Sequence, residues 1–276
     1  MKLTDFIRVG PKEYVFPEKF ESIAADIYNM EVRPSDVFVF SFPRSGTTWT
    51  QELVWLVVND LDYETAKRIP LTERYTFLEY VHFIKIKEID LMTKSPIDVI
   101  VDLPSPRFLK SHLPLSLLPP KALDAKMVHV ARDPRDAIVS YYHLIKSMKL
   151  VEFINNKIKF LEPWTPYFDN VKEAWENRHD PNLLFLFYED LRKDLPSEVR
   201  RVCDFFGKKF SDEQIAGLCD HLSFENFKNN TSVNCDRMKE LGLMRGWRDY
   251  FDEEMIAQAD QWMAENMRDS DFRYPH

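Results

Sequence analysis

Four small residues, Ser45-Gly46-Thr47-Thr48, separate the mostly apolar run Val37–Phe42 from Trp49. Hydroxyls clustered round one glycine, at the change from strand to helix, suit an oxyanion. The first amides of a helix lack internal partners and point outward at its positive end. Gly46 would allow close backbone approach, and Thr47 and Thr48 would add hydroxyl donors. The common phosphate loop, G-x-x-x-x-G-K-[ST], would need glycine at Ser41 and lysine at Thr47, and neither is present. The strong cation of this stretch is instead Arg44. An ordinary strand-to-helix turn capped by Ser45 is the plainer alternative.

Three further stretches carry comparable residues. Arg107–Pro114 (RFLKSHLP) presents Lys110 and His112 at the end of an apolar run. Val128–His143 (VHVARDPRDAIVSYYH) reaches Arg132 and then Ser140, and Leu184–Leu191 (LFLFYEDL) reaches Tyr188. Taken singly, each residue has an ordinary reading: Arg132 beside Asp133 and Asp136 as a weak surface ion pair, Trp49 and Tyr188 as packed aromatics.

The elements that must position these side chains are legible in the hydropathy. Strands are expected at Val37–Phe42, Arg107–Lys110, Met127–Ala131 and Leu183–Phe187, apolar on nearly both faces as in a covered parallel sheet. Helices are expected at Thr48–Asn59, Pro134–Ser147 (after Asp133 as cap, with proline first), Pro166–Asn177, Leu195–Phe206, Asp212–Leu222 and Glu253–Met267. Such alternation predicts an α/β fold, one domain over 1–276, with a central parallel sheet flanked by helices. Ligands of such sheets bind beyond the strand carboxyl ends, where all four stretches terminate.

Composition narrows the partners. The chain has 276 residues, 45% of them hydrophobic, with 37 basic and 45 acidic side chains for a net charge of −8. A general nucleic-acid binder needs a broad basic surface and is disfavoured. The opening MKLTDFIRVG lacks a signal-peptide core, and Leu53–Val58 is far below the ~20 apolar residues of a membrane span. Cys203, Cys219 and Cys235 are odd in number and widely spaced, as reduced thiols would be. A soluble cytoplasmic protein is expected, with no metal, since no His/Cys/carboxylate cluster has ligand spacing.

In this order and spacing, PRSGTTW (Pro43–Trp49), KSHLP (Lys110–Pro114), VARDPRDAIVSYYH (Val130–His143) and LFYED (Leu186–Asp190) resemble the cytosolic sulfotransferase family over roughly residues 35–265. That resemblance implies transfer of a sulfonate from 3′-phosphoadenosine 5′-phosphosulfate (PAPS) to a small hydrophobic acceptor, a phenol, catecholamine or steroid-like alcohol, leaving PAP. It implies a P-loop-like phosphosulfate loop at Arg44, Ser45, Gly46, Thr47 and Thr48, and adenine contacts from Trp49, Tyr188 and Phe224. It assigns the 3′-phosphate to Arg132 and Ser140, with Gly242 and Arg245 nearby, and catalysis to His112, Lys110 and Arg44. A phenol near pKa ~10 and an imidazole near ~6.5 differ by roughly 5 kcal/mol of proton transfer. His112 would therefore take the proton as the oxygen–sulfur bond forms, not before. Phe77, Tyr80, His82, Phe83 and His143 are candidates for the acceptor pocket, with Tyr142, Phe153 and Trp164 as further aromatics.

Three departures from the family stand out. Arg44 replaces the usual lysine, keeping the charge in another shape. The usual arginine–lysine pair for the 3′-phosphate reads Glu240-Leu241, a loss worth about 1.5–3 kcal/mol per charge-assisted contact unless Arg237, Lys239 or Arg245 compensates. The family's K-x-x-x-T-V-x-x-x-E dimer motif is also missing after Trp247, which leaves the oligomeric state open. Two other functions remain readable: a nucleotide-binding sensor or carrier without turnover, and a P-loop phosphotransferase, against which Thr47 stands.

Overall fold

A computed structural model describes residues 6–79, 96–147, 164–233 and 246–275. It opens with an antiparallel hairpin, β1 (Phe6–Val9) and β2 (Tyr14–Pro17), followed by α1 (Glu21–Tyr28). Next come β3 (Val37–Phe40), α2 (Thr47–Val58), α3 (Tyr63–Arg68), α4 (Leu71–Arg74), β4 (Thr76–Phe77), α5 (Pro96–Asp102) and β5 (Phe108–Ser111). The chain continues through β6 (Lys126–Ala131), α6 (Pro134–Ser147), α7 (Tyr167–Glu176), β7 (Leu183–Phe187) and α8 (Tyr188–Lys193). The last helices are α9 (Leu195–Phe205), α10 (Asp212–His221), α11 (Phe224–Asn229) and α12 (Glu253–Asn266).

The sheet runs β4-β5-β3-β6-β7, and every pairing in it is parallel. The expected α/β architecture is therefore present. Strand alternation explains the covering of both faces. Phe38 and Phe40 enter one apolar cluster with the hairpin, α1 and α7, while Val37 and Val39 enter a second with α2, α9 and α10. Arg107 closes the amino ends of β3 and β5 by donating from Nε to buried Asp36 at 2.8 Å.

Boundaries differ from expectation where backbone, not hydropathy, decides. The first strand stops at Phe40, because Ser41 and Phe42 already belong to the turn, and α2 begins at Thr47. The expected Arg107–Lys110 strand is shifted to Phe108–Ser111 by its pairing with β3. Asp133 receives the Arg135 amide at 2.9 Å, as a cap should. Cys203 and Cys219 are free thiols, and Cys235 lies outside the described residues. Among the described residues no helix is long and apolar enough to cross a membrane, and no cluster of histidine, cysteine and carboxylate would hold a metal.

One core residue is costly. His129 on β6 is fully buried between Phe40 and Phe185, with ring centroids 4.6 and 5.0 Å away, and neither ring nitrogen has a partner. Burial pushes its pKa down to about 3. The unfolded chain would take up this proton below ~6.5 while the native ring stays neutral, so stability falls as pH drops from there. At pH 5 the loss amounts to about 2 kcal/mol, at 1.36 kcal/mol per unit. His129→Leu is expected to be no less stable than wild type at pH 7 and to lose that much less between pH 7 and 5 in urea unfolding. Parallel stability curves would remove His129 as the acid-sensitive group.

Candidate functional site

The loop after β3 is held in a strained turn. Arg44 (φ 68°) and Gly46 (φ 101°) are both left-handed, the first at a cost typical of a non-glycine residue. Gly46, not Ser45, caps α2, its carbonyl receiving the Thr50 amide at 3.0 Å. The Ser45 hydroxyl is thereby released from capping, and it is buried without a partner. Thr47 meets Ser41 hydroxyl to hydroxyl at 2.6 Å, while Thr48 is half-buried on the first turn of α2. A methyl group at Gly46 would stand 2.7 Å from Tyr188 Cδ2, so the ring of Tyr188 lies directly over the turn. Glycine is required here both by space and by conformation.

Around this turn the site brings together residues distant in sequence. Arg44 donates from Nε to Ser140 Oγ at 2.9 Å, and Arg132 Nη1 donates to the Arg44 carbonyl at 3.1 Å. The Arg132 guanidinium lies 4.5 Å from the Tyr188 ring centroid, and its Nε is buried and unpartnered. Its carboxylate neighbour is Asp136 at 4.0 Å, whereas Asp133 is taken by Arg135. Among the described residues no ion pair is made by Arg44, whose pKa burial and the adjacent Arg132 lower to about 10. Two guanidiniums, an unpartnered hydroxyl and the exposed helix amides form a cationic cradle for an anion.

Aromatics border the cradle. Trp49 sits 5.8 Å from Tyr188 and donates from Nε1 to the Leu222 carbonyl at 2.9 Å. Two residues later Phe224 opens α11, 62% exposed. Trp247 is buried between the guanidiniums of Arg135 and Arg248, at 4.3 and 4.5 Å.

On the other side stands His112, one residue beyond β5 and 8% exposed. Its Nδ1 is 2.8 Å from the Ser41 carbonyl. A carbonyl oxygen only accepts, so Nδ1 carries the proton and the lone pair of the neutral ring is on Nε2. Burial, with Lys110 and Arg44 as cationic neighbours, pushes the His112 pKa well below the usual imidazole value. Lys110 lies over the Phe77 ring at 4.3 Å, and burial brings its pKa to about 8 despite the opposing effect of Glu79. Phe77 and Trp164 pack on the imidazole at 5.3 and 5.5 Å.

Of the expected acceptor residues, Phe77 is thus at the imidazole. His143 packs instead against Tyr142 and Tyr250 at 5.6 and 5.1 Å. Tyr80, His82, Phe83, Phe153, Gly242 and Arg245 lie outside the described residues, as do Glu240 and Leu241. Ser41, Asn170 and Glu79 were not singled out from sequence, yet each bonds His112: Ser41 at the ring, Asn170 at its carbonyl at 3.2 Å, and Glu79 at its amide. A lone carboxylate inside the aromatic run YTFLEYVHF was the available signal for Glu79.

Known proteins resemble this chain in sequence and in fold. The sulfotransferase domain family matches residues 34–271. Luciferin sulfotransferase of Photinus pyralis is 35% identical, with 97% of this chain and 81% of that protein aligned. A retinol dehydratase solved with androsterone and inactive cofactor PAP superposes with a TM-score of 0.89 at 42% identity, covering 99% of this chain and 92% of that one. The same kind of enzyme solved with retinol and PAP gives 0.89 at 43%, with 99% and 93% covered. The chain belongs to the sulfotransferase family and is a PAPS-dependent sulfotransferase.

Proposed function

We propose that the enzyme sulfonates the hydroxyl of a small apolar alcohol or phenol, with His112 as general base and the loop after β3 as the donor cradle. The observation that carries this reading is the His112 tautomer: its Nδ1 proton is committed to the carbonyl of Ser41, which opens the turn to Gly46, so the lone pair is on Nε2. Ser45, Gly46, Thr47, Thr48 and Arg44 are suited to the 5′ end of the donor, Arg132 and Ser140 to the 3′-phosphate, and Trp49, Tyr188 and Phe224 to adenine. The unpartnered Ser45 hydroxyl and Arg132 Nε, both buried, are fitting donors to those phosphates. When bound, PAPS supplies the sulfonate, and its 5′-phosphate is the leaving group.

His112 Nε2 accepts the acceptor's hydroxyl proton as the new oxygen–sulfur bond forms. The mismatch between phenol and imidazole makes earlier transfer costly. Lys110, Arg44 and the helix amides neutralise charge on the leaving phosphate, in a buried setting that strengthens each contact. Direct in-line transfer needs no covalent enzyme intermediate and no metal.

The acceptor's character follows from what surrounds the imidazole. Phe77 and Trp164 offer apolar rings. Glu79, the carboxylate bonded at His112, is fully buried with its oxygens engaged by His112 N and Ser111 Oγ, so its charge serves the protein's own groups rather than an acceptor ammonium. A neutral alcohol on a rigid or extended hydrocarbon body is favoured over a catecholamine. Retinol and androsterone, bound by the similar retinol dehydratases, are alcohols of that kind. A cytosolic location is the reading that accords with its likeness to cytosolic sulfotransferases.

Label from radioactive PAPS should pass to retinol or a hydroxysteroid with wild type, and fall about 10²- to 10⁴-fold with His112→Ala. The same variant should bind PAP within about threefold of wild type, since a general base is not part of the cradle. PAP binding with no transfer to any alcohol or phenol would favour a nucleotide carrier. Gly46→Ala should weaken PAP binding about tenfold or more, because a strained residue must displace Tyr188 or distort the loop. An unchanged Kd by calorimetry would take the donor away from this turn. Since Lys110 must be an ammonium, kcat/KM should fall as pH rises through about 8. Its acid limb should lie well below 6.5, where His112 gains a proton. A rate still climbing between pH 8 and 9 would sink the role of Lys110.

A further inference from the structure

Resting on this reading of the transfer reaction, we propose that Glu79 is a positioning residue for both reactive groups: its carboxylate fixes the His112 peptide and is the counter-charge of Lys110. The sheet register brings it there. Phe77 pairs with Lys110 across β4 and β5, and Leu78 donates its amide to the Lys110 carbonyl at 3.0 Å. Continuing that register sets Glu79 opposite His112. There Glu79 is fully buried, with Oε1 accepting from His112 N and Oε2 accepting from Ser111 Oγ at 3.0 Å. Ser111 Oγ in turn accepts the Leu113 amide at 3.0 Å. The carboxylate thus ties down the three-residue exit of β5 on which His112 rides.

A buried carboxylate is retained at such a place only with compensation. Burial raises the Glu79 pKa to about 7, opposed by the two donated hydrogen bonds and by Lys110. Lys110 pairs with Phe77, two residues before Glu79, and the charged groups acting on it are Glu79 and Arg44. Of these only Glu79 favours the ammonium, while burial and Arg44 oppose it. Near neutral pH the carboxylate and the ammonium coexist, with His112 neutral beside them. Removing the negative charge leaves Lys110 with only opposing influences, and its proton is lost at lower pH. The acid limb is insulated, because Glu79, with its pKa raised to about 7, is already neutral where His112 gains its proton.

Glu79→Gln keeps the shape and an acceptor for the His112 amide but deletes the charge. The alkaline limb of kcat/KM should move down by about one pH unit, and kcat/KM at pH 7.5 should fall about threefold. The acid limb and PAP affinity should stay as in wild type, and Glu79→Asp should restore most of the alkaline limb. In parallel, nitrogen-15 NMR of the lysine side chains, with Lys110 assigned through Lys110→Arg, should show the same downward move of its titration in Glu79→Gln. A variant with lowered kcat but both limbs and the Lys110 titration unmoved would make Glu79 a mere strut and overturn the proposal, as would full activity. If Glu79→Gln does not fold, Glu79→Asp decides: its Lys110 midpoint must stay within about half a unit of wild type, and a larger fall overturns the proposal. Wild type that binds PAP yet sulfonates nothing would instead fail the transfer reading, and the NMR titration would still judge Glu79.

Discussion

The hydrogen bond from His112 Nδ1 to the carbonyl of Ser41 joins two segments that sequence separates by 71 residues. Ser41 is the first residue past β3 and opens the turn that leads to Gly46. His112 stands just past β5, the neighbour of β3 in the sheet. One bond therefore sets the tautomer, aims the ring and fixes its distance from the loop. It depends on parallel pairing, since only parallel neighbours bring both carboxyl ends to the same edge.

Electrostatics are arranged against the background of the whole chain. The net charge is −8, yet the cradle collects Arg44, Arg132 and Lys110 with little acidic company. Arg44 and Lys110 both have depressed proton affinities, for which burial is the first cause. The crowding of like charge adds to that lowering, from Arg132 at Arg44 and from Arg44 at Lys110. Long-range attraction of an anionic ligand contributes little, because an acidic surface does not steer anions.

Much of this was readable from residue types. The strands β3, β6 and β7 are largely apolar on both faces, and hydropathy alone locates them within a residue or two. The cradle residues lie beside strand ends, where chain order already predicts convergence. What escaped was fixed by tertiary pairing. Strand β4 has two residues and no periodicity to detect, and the hairpin β1–β2 carries Arg8 within a four-residue strand. Ser45 looked like the helix cap by composition, but the left-handed turn moved that task to Gly46. Glu79 could not be placed from sequence because its meaning lies in register: shifted by one position, it would face away from His112.

The edge position of β4 has a bearing on how the enzyme ages. Phe77, Leu78 and Glu79 hang on the shortest strand of the sheet, paired on one side only. Edges with few backbone bonds open at lower free energy than the interior. Gentle heating would therefore let the acceptor wall and its buried carboxylate peel from β5 while β3, β6 and β7 stay intact, so inactivation would precede melting.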